Sequence, residues 1–159
     1  LSLLNKIEIK RSNSSDRHFI NLVQLLDKEL AFRDGDEHAF YAQYNKLDKI
    51  KHAVIAYAGQ IPVGCGAFKA FEKDKVEIKR MFVLENHRNM GIAALILDSL
   101  EVWAKELGYA AAVLETGLMQ PEAIGLYKKS GYQLIPNYGQ YVGIENSLCF
   151  HKILTKELK

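Results

Sequence analysis

The sequence predicts an α+β chain (α/β by some schemes): a mixed, mostly antiparallel sheet of about seven strands flanked by about four helices. Three observations carry this. Strand-like runs separated by turn residues come three in succession between residues 52 and 83, which implies antiparallel pairing. Two amphipathic helical stretches then alternate with further strand-like runs, and one of these, "AAVLE", is apolar almost throughout, as a mid-sheet strand buried on both faces should be. No repeat, low-complexity tract or Pro/Ser-rich linker breaks the 159 residues, whose 48% hydrophobic content is enough for one proper core. Residues 1–159 are therefore expected to form a single domain.

In chain order, "KIEIKR" alternates as a short strand. Ser14, Ser15 and Asp16 then offer N-caps to a helix whose Phe19, Leu22, Val23, Leu26 and Leu30 form one stripe, ending near Arg33. "RDGDEHAFYAQYNK" predicts a turn at Asp34-Gly35 and a short helix carrying His38, Tyr41 and Tyr44, unusually aromatic and polar for plain surface. "HAVIAYA" and "IPVGCGAF" flank Gly59-Gln60, a hairpin signature, and "KVEIKRMFV" follows a turn at Glu72-Lys73-Asp74. The next helix, from about Gly91 to Leu107, places Ile92, Leu95, Ile96, Leu100, Trp103 and Leu107 on one face. Asp98, Glu101 and Lys105 lie opposite, with Gly108 as the C′ residue. Pro121 opens a last helix holding Ala123, Ile124, Leu126 and Tyr127 and ending at Gly131, after which "YQLI" and "SLCFHKIL" close the chain as strands.

Composition narrows the function classes. Lys and Arg number 21 against 19 Asp and Glu, spread along the chain, so no basic stripe points to a nucleic-acid partner. Cys65 and Cys149 lie far apart in apolar runs and read as reduced thiols of a cytoplasmic protein rather than a disulfide framework. The start "LSLL" meets Lys6 and Glu8 too soon for a signal peptide, and "GIAALIL" stops at Asp98, short of a membrane span. Histidines 18, 38, 52, 87 and 151 show no metal-ligand spacing, so no metal is expected.

The chemistry concentrates at "VLENHRNMGIAALIL", residues 83–97, where a polar, basic stretch separates a strand from an apolar helix. A helix start leaves N–H groups without intrahelical acceptors, and its partial positive charge favours an anion. The peptide hydrogens of residues 89 to 94 would suit a phosphate or pyrophosphate, with Arg88 adding a full charge and Gly91 allowing close approach. Neither G-x-G-x-x-G nor G-x-x-x-x-G-K-[ST] is present, and the preceding strand is antiparallel, which disfavours NAD and ATP and leaves another nucleotide-containing carrier.

These residues resemble the GNAT superfamily of N-acetyltransferases. Its R/Q-x-x-G-x-G/A motif stands here as Arg88-Asn89-Met90-Gly91-Ile92-Ala93, and "PEAIGLYKKSGY" is similar to the family's A-x-x-L-Y-x-x-x-G-F/Y signature. The deduced element order matches that fold across essentially the whole chain. Glu85 stands where many members have Pro, Ala93 replaces the second Gly, Gln120 takes a position often held by Asn, and Gly125 sits where Ala is usual. The resemblance implies acetyl-CoA as acetyl donor, direct transfer to an amine, and no metal. It places the donor against Phe82, Val83, Arg88, Asn89, Met90, Gly91, Ile92, Ala93 and Ala94, with Gln120 and Tyr127 as further contacts.

Direct transfer requires a neutral amine, a donor for the thioester oxyanion and a proton or hydrogen bond for the leaving thiolate. By resemblance, a backbone N–H at Phe82 or Val83 serves the oxyanion and Tyr127 the thiolate. An unperturbed tyrosine pKa of about 10 lies above a thiol's roughly 8.5. Glu77 aligns with a glutamate that some members use as base; Glu115 in "LETG" is an alternative, and a water chain a third. A solvated strand position for Glu77 and a structural carboxylate for Glu115 are the competing readings. His38 and Tyr41, facing Tyr138, Tyr141 and Glu145 of "PNYGQYVGIEN", could wall an acceptor site suited to a cationic amine. The expected function is thus an acetyl-CoA-dependent N-acetyltransferase acting on a small-molecule primary amine. The alternatives are a protein lysine or N-terminal amine acceptor and a non-catalytic CoA-binding module, with a homodimer left open.

Overall fold

The computed structural model describes residues 6–34 and 50–155, so the short helix expected around His38, Tyr41 and Tyr44 lies outside the described residues. The elements are β1 (Ile7–Ser12), α1 (Arg17–Asp34), β2 (His52–Ala58), β3 (Ile61–Phe71), β4 (Lys75–Val83), α2 (Ile92–Glu106), β5 (Ala111–Gly117), α3 (Pro121–Lys129), β6 (Gln133–Ile135) and β7 (Ser147–Ile153). The strands form a seven-stranded sheet in the order β1-β2-β3-β4-β5-β7-β6. With its parallel β4–β5 pair among antiparallel neighbours, this is the mixed sheet the sequence predicts. Among the described residues, no helix is long and apolar enough to cross a membrane.

The chain divides into two compact units, Leu1–Lys69 with Lys79–Leu100, and Ala70–Ile78 with Glu101–Lys159. In the first, β1 and β2 pair antiparallel from Ile7↔Ala58 to Ser12↔Ala53, and β2 and β3 pair antiparallel around the Gly59-Gln60 turn, where Gly59 takes φ +64°. The apolar stripe of α1 packs on this sheet: Phe19, Leu22, Val23 and Leu26 share a core with Ile50, Ala53, Ile55, Cys65, Ala67 and Phe82, with Leu30 at its edge. Of the three N-cap candidates, Asp16 does the capping. Its Oδ1 accepts the His18 N–H at 2.9 Å and its Oδ2 the Ser12 hydroxyl at 2.7 Å. Burial alone would raise its pKa, but these bonds, with the Phe19 amide and the nearby His18, hold the carboxyl below its ordinary value.

The first half of α2 lies close on β3. A Cβ at Gly66 would stand 2.8 Å from Ile96 Cγ2 and 2.9 Å from Leu100 Cδ1, so a larger residue there would push the helix away. The buried face of α2 is Ile92, Ile96, Leu97, Leu100, Glu101 and Ala104. This corrects the expected face, which lacked Leu97 and Ala104. Leu107 is exposed, and Glu101, expected opposite the apolar stripe, is buried. The physical reason is a polar partner set in the second unit: Glu101 Oε2 accepts the Tyr132 hydroxyl at 2.9 Å and Oε1 pairs with Lys152 Nζ at 2.8 Å.

In the second unit, β4 pairs in parallel with β5 from Lys75↔Ala111 to Glu77↔Val113. β5 then pairs antiparallel with β7 along its whole length, and β7 carries the short β6 on its other side. Ala111, Ala112, Val113 and Leu114 are buried, as a strand flanked on both sides requires. Pro121 starts α3, and Gly131, at φ +95°, turns the chain so that the Tyr132 N–H reaches the Tyr127 carbonyl at 3.0 Å. Nothing among the described residues explains Gly125, where an added Cβ would meet open space. Gly125→Ala is expected to raise the unfolding free energy by about 1 kcal/mol through helix propensity. Urea unfolding measures it, and a lower midpoint would mean that the glycine is required after all.

Candidate active site

In the first unit, the donor-loop residues are built on the end of β4 and the start of α2. Phe82 and Val83 are buried, and the Leu84 N–H is bonded to the Val63 carbonyl at 2.8 Å, which fixes where the strand stops. A single 3₁₀ turn, Glu85–His87, follows, and left-handed residues at Asn89 (φ 62°) and Gly91 (φ 86°) swing the chain into α2. The first α2 hydrogen bond runs from the Leu95 N–H to the Gly91 carbonyl at 3.2 Å. Hence the amides of residues 89 to 94 have no main-chain acceptor among the described residues. Ile92 anchors this turn in the core while Asn89, Met90, Gly91 and Ala94 are exposed. Backbone with alternating left-handed residues presents such amides as an anion-binding nest.

Arg88, which leads this loop, makes its contacts within the protein. Its Nε donates to the Val83 carbonyl at 2.8 Å, its Nη2 pairs with Glu29 Oε1 at 2.7 Å, and its guanidinium lies 5.5 Å over the Phe82 ring. The guanidinium is thus committed within the protein. His87 is half-buried beside it, with its Nδ1 unbonded among the described residues.

In the second unit, the structure brings together residues that are far apart in sequence. Glu77 of β4 is only 3% exposed, not a solvated strand position, and its Oε2 accepts the Tyr138 hydroxyl at 2.7 Å. Tyr138 packs on Phe71 at 4.8 Å between centroids and edge-on to Tyr141 at 5.7 Å. Asn137 Nδ2 holds this loop by donating to the Tyr141 and Ile144 carbonyls, at 3.1 Å and 3.0 Å. Burial, then the charges of Glu115 and Glu77, push the Tyr141 hydroxyl well above its usual pKa. Glu115 is half-buried and accepts the Ser147 hydroxyl at 2.6 Å. Its neighbour across the ladder, Cys149, is pushed up to about 11 by burial, against a lowering bond from the Tyr138 amide.

Tyr127 belongs to this group. It is buried on α3, edge-on to Tyr132 at 5.8 Å and 6.3 Å from Phe150, and burial, then Glu115, raise its pKa far above the usual tyrosine value. Gln120 is the N-cap residue of α3 without a side-chain capping bond.

Of the expected acceptor wall, Tyr138 and Tyr141 sit with Glu77 and Glu115, Glu145 is exposed on the loop, and His38 and Tyr41 lie outside the described residues. Sequence reasoning missed Glu29, Asn137 and Ser147, none of which stands in a motif. Among the described residues, no group of three or more His, Cys, Asp or Glu could hold a metal ion.

A sequence model of the acetyltransferase (GNAT) family matches residues 19–132. The "IAA acetyltransferase" of Azospirillum brasilense is 30% identical over 151 residues, covering 93% of this chain and 98% of that protein. The "Uncharacterized N-acetyltransferase YsnE" of Bacillus subtilis is 32% identical over 114 residues, covering 68% of this chain and 76% of that protein. A solved Klebsiella pneumoniae structure, described as an acyl-CoA N-acyltransferase, superposes with a TM-score of 0.78 at 27% identity, covering 94% of this chain and 98% of that one. A Bacillus subtilis acetyltransferase solved in complex with CoA shares the fold alone, at 16% identity and TM-score 0.67, covering 94% of this chain and all of that one. The family match spans well over half of the chain and joins both quoted motifs, so this chain belongs to the GNAT acetyltransferase family and its activity is acetyl-CoA-dependent acetyl transfer.

Proposed function

We infer that the acceptor is the primary amine of a small molecule and that residues 1–159 act as one catalytic domain. The carrying observation is the set Glu77, Tyr138 and Tyr141, in which a carboxylate 3% exposed is enclosed by tyrosines. An enclosed carboxylate admits a slender amine more readily than a folded protein surface. The amides of residues 89 to 94 would hold the acetyl-CoA pyrophosphate, with Arg88 bracing the loop that presents them. The N–H of Phe82 or Val83 would hold the thioester oxygen as negative charge develops on it, and Gln120 would contact the donor's pantetheine.

Glu77 or Glu115, directly or through water, takes the proton that the attacking ammonium must lose. Tyr127 faces the leaving sulfur. Its raised pKa keeps the hydroxyl protonated at every working pH, and full transfer to a thiolate of about 8.5 becomes more unfavourable as that pKa climbs. Its role is therefore a hydrogen bond to the developing thiolate rather than outright proton donation. The reduced, buried thiols Cys65 and Cys149 support a cytoplasmic setting.

Isothermal titration with acetyl-CoA, NAD and ATP, followed by a thiol-release assay over small primary amines and lysine-bearing peptides, tests this reading. Saturable binding of acetyl-CoA alone, with CoA released only in the presence of a small amine, is the expected result. Turnover with peptides and none with small amines would move the acceptor to protein.

A further inference from the structure

The Val83–Leu84 peptide is clamped at both of its polar atoms. Its carbonyl accepts Arg88 Nε at 2.8 Å, and its N–H donates to the Val63 carbonyl at 2.8 Å. Arg88 is held in turn by Glu29 of α1, 59 residues earlier in the chain, through a 2.7 Å bond between half-buried side chains at 27% and 28% exposure. The Phe82 ring lies beneath the guanidinium. A lysine could answer Glu29's charge, but only the planar fork of arginine donates at once to a carboxylate and, through Nε, to a main-chain carbonyl. Through this fork α1 is tied to the residue at which the chain leaves β4 and turns toward the amides of 89 to 94, which have no main-chain acceptor among the described residues. Left untied, a loop carrying left-handed residues at Asn89 and Gly91 would sample conformations in which those amides diverge.

We propose that Glu29 is a positioning residue for acetyl-CoA binding: acting through Arg88, it fixes the Val83–Leu84 peptide and the start of the 89–94 amide run before the ligand arrives. This rests on the reading that those amides take the pyrophosphate. Ordering the donors in the free protein removes that cost from the binding step. The opposite arrangement, in which Arg88 is a direct phosphate ligand restrained by Glu29, makes a prediction of opposite sign.

Glu29→Gln, Arg88→Lys and the double variant separate the two, each titrated with acetyl-CoA and each followed without ligand by hydrogen exchange at the Leu84 amide. Glu29→Gln is expected to weaken acetyl-CoA binding about tenfold, as misplaced binding groups do, to speed Leu84 exchange, and to leave the KM for the amine unchanged. Arg88→Lys should do the same, and the double variant should bind no more weakly than Arg88→Lys alone, because the two residues act in series. Unchanged or tighter binding by Glu29→Gln, with wild-type protein binding normally, overturns the positioning role and hands the phosphate to Arg88. A lower melting point with both KM values raised together overturns it too, reducing Glu29 to a general structural residue. Failure of the wild-type protein to bind acetyl-CoA would remove the pyrophosphate reading itself, and this inference with it.

Discussion

Tyr127→Phe is expected to lower kcat about 100-fold, at the lower end of what one hydrogen-bond donor to a developing anion contributes, while the KM for acetyl-CoA stays within about twofold. The change removes one oxygen and keeps the ring, so the packing against Tyr132 and Phe150 is retained. Stability should therefore shift by less than about 1 kcal/mol, the net worth of a single hydroxyl. Loss of turnover with a normal fold and normal donor binding would place the hydroxyl at the leaving sulfur. A variant with wild-type kcat would take Tyr127 out of the mechanism and leave it a core aromatic. The pH profile adds a second check. Burial and Glu115 raise the Tyr127 pKa, so its deprotonation lies beyond the assay range and the wild-type rate should show no alkaline fall from this residue.

Glu101→Ala should lower the unfolding free energy by about 3 kcal/mol, the lower end of the range for breaking a buried ion pair. Glu101 joins two partners that approach from different directions, the Tyr132 hydroxyl at 2.9 Å and Lys152 Nζ at 2.8 Å, and Lys152 also lies 5.6 Å over the Tyr132 ring. Truncation leaves a buried phenol without its acceptor and an ammonium without its counter-charge. Lys152 keeps 28% of its side chain exposed and can turn toward water, which is why the larger values in that range are not expected. Glu101→Gln retains an acceptor for Tyr132 and should lose less than half as much. Urea unfolding of the two variants decides the matter, and equal, small losses would show that the pair adds nothing beyond helix packing.

Glu101 also shows where reading the chain stopped. Hydrophobic periodicity is a local signal: it delimited β4 at Lys75–Val83, found α2 within a residue at either end, and predicted β2 and β3 around Gly59. The loop of residues 88–94 was legible for a similar reason. A helix start must leave its first amides without intrahelical acceptors whatever surrounds it, and Gly91 at φ 86° was readable as the residue allowing it. The family followed from two short motifs whose spacing the fold preserves.

Partnership across the chain was another matter. Glu101 reads as solvated because it lines up with Asp98 and Lys105, and only the return of Tyr132 and of Lys152, 51 residues later, makes a buried carboxylate tolerable there. The charge of Arg88 was legible, but its partner Glu29, 59 residues back, was not. Glu77 could be solvent-facing or enclosed, and Tyr138, 61 residues on, decided for enclosure. By itself, then, the sequence determined the elements, their order and the loop of unsatisfied amides, because those follow from backbone geometry and side-chain period over a few residues. Which charge meets which partner was decided by tertiary structure alone, because the desolvation that makes a pairing matter exists only once distant strands and helices have closed around it.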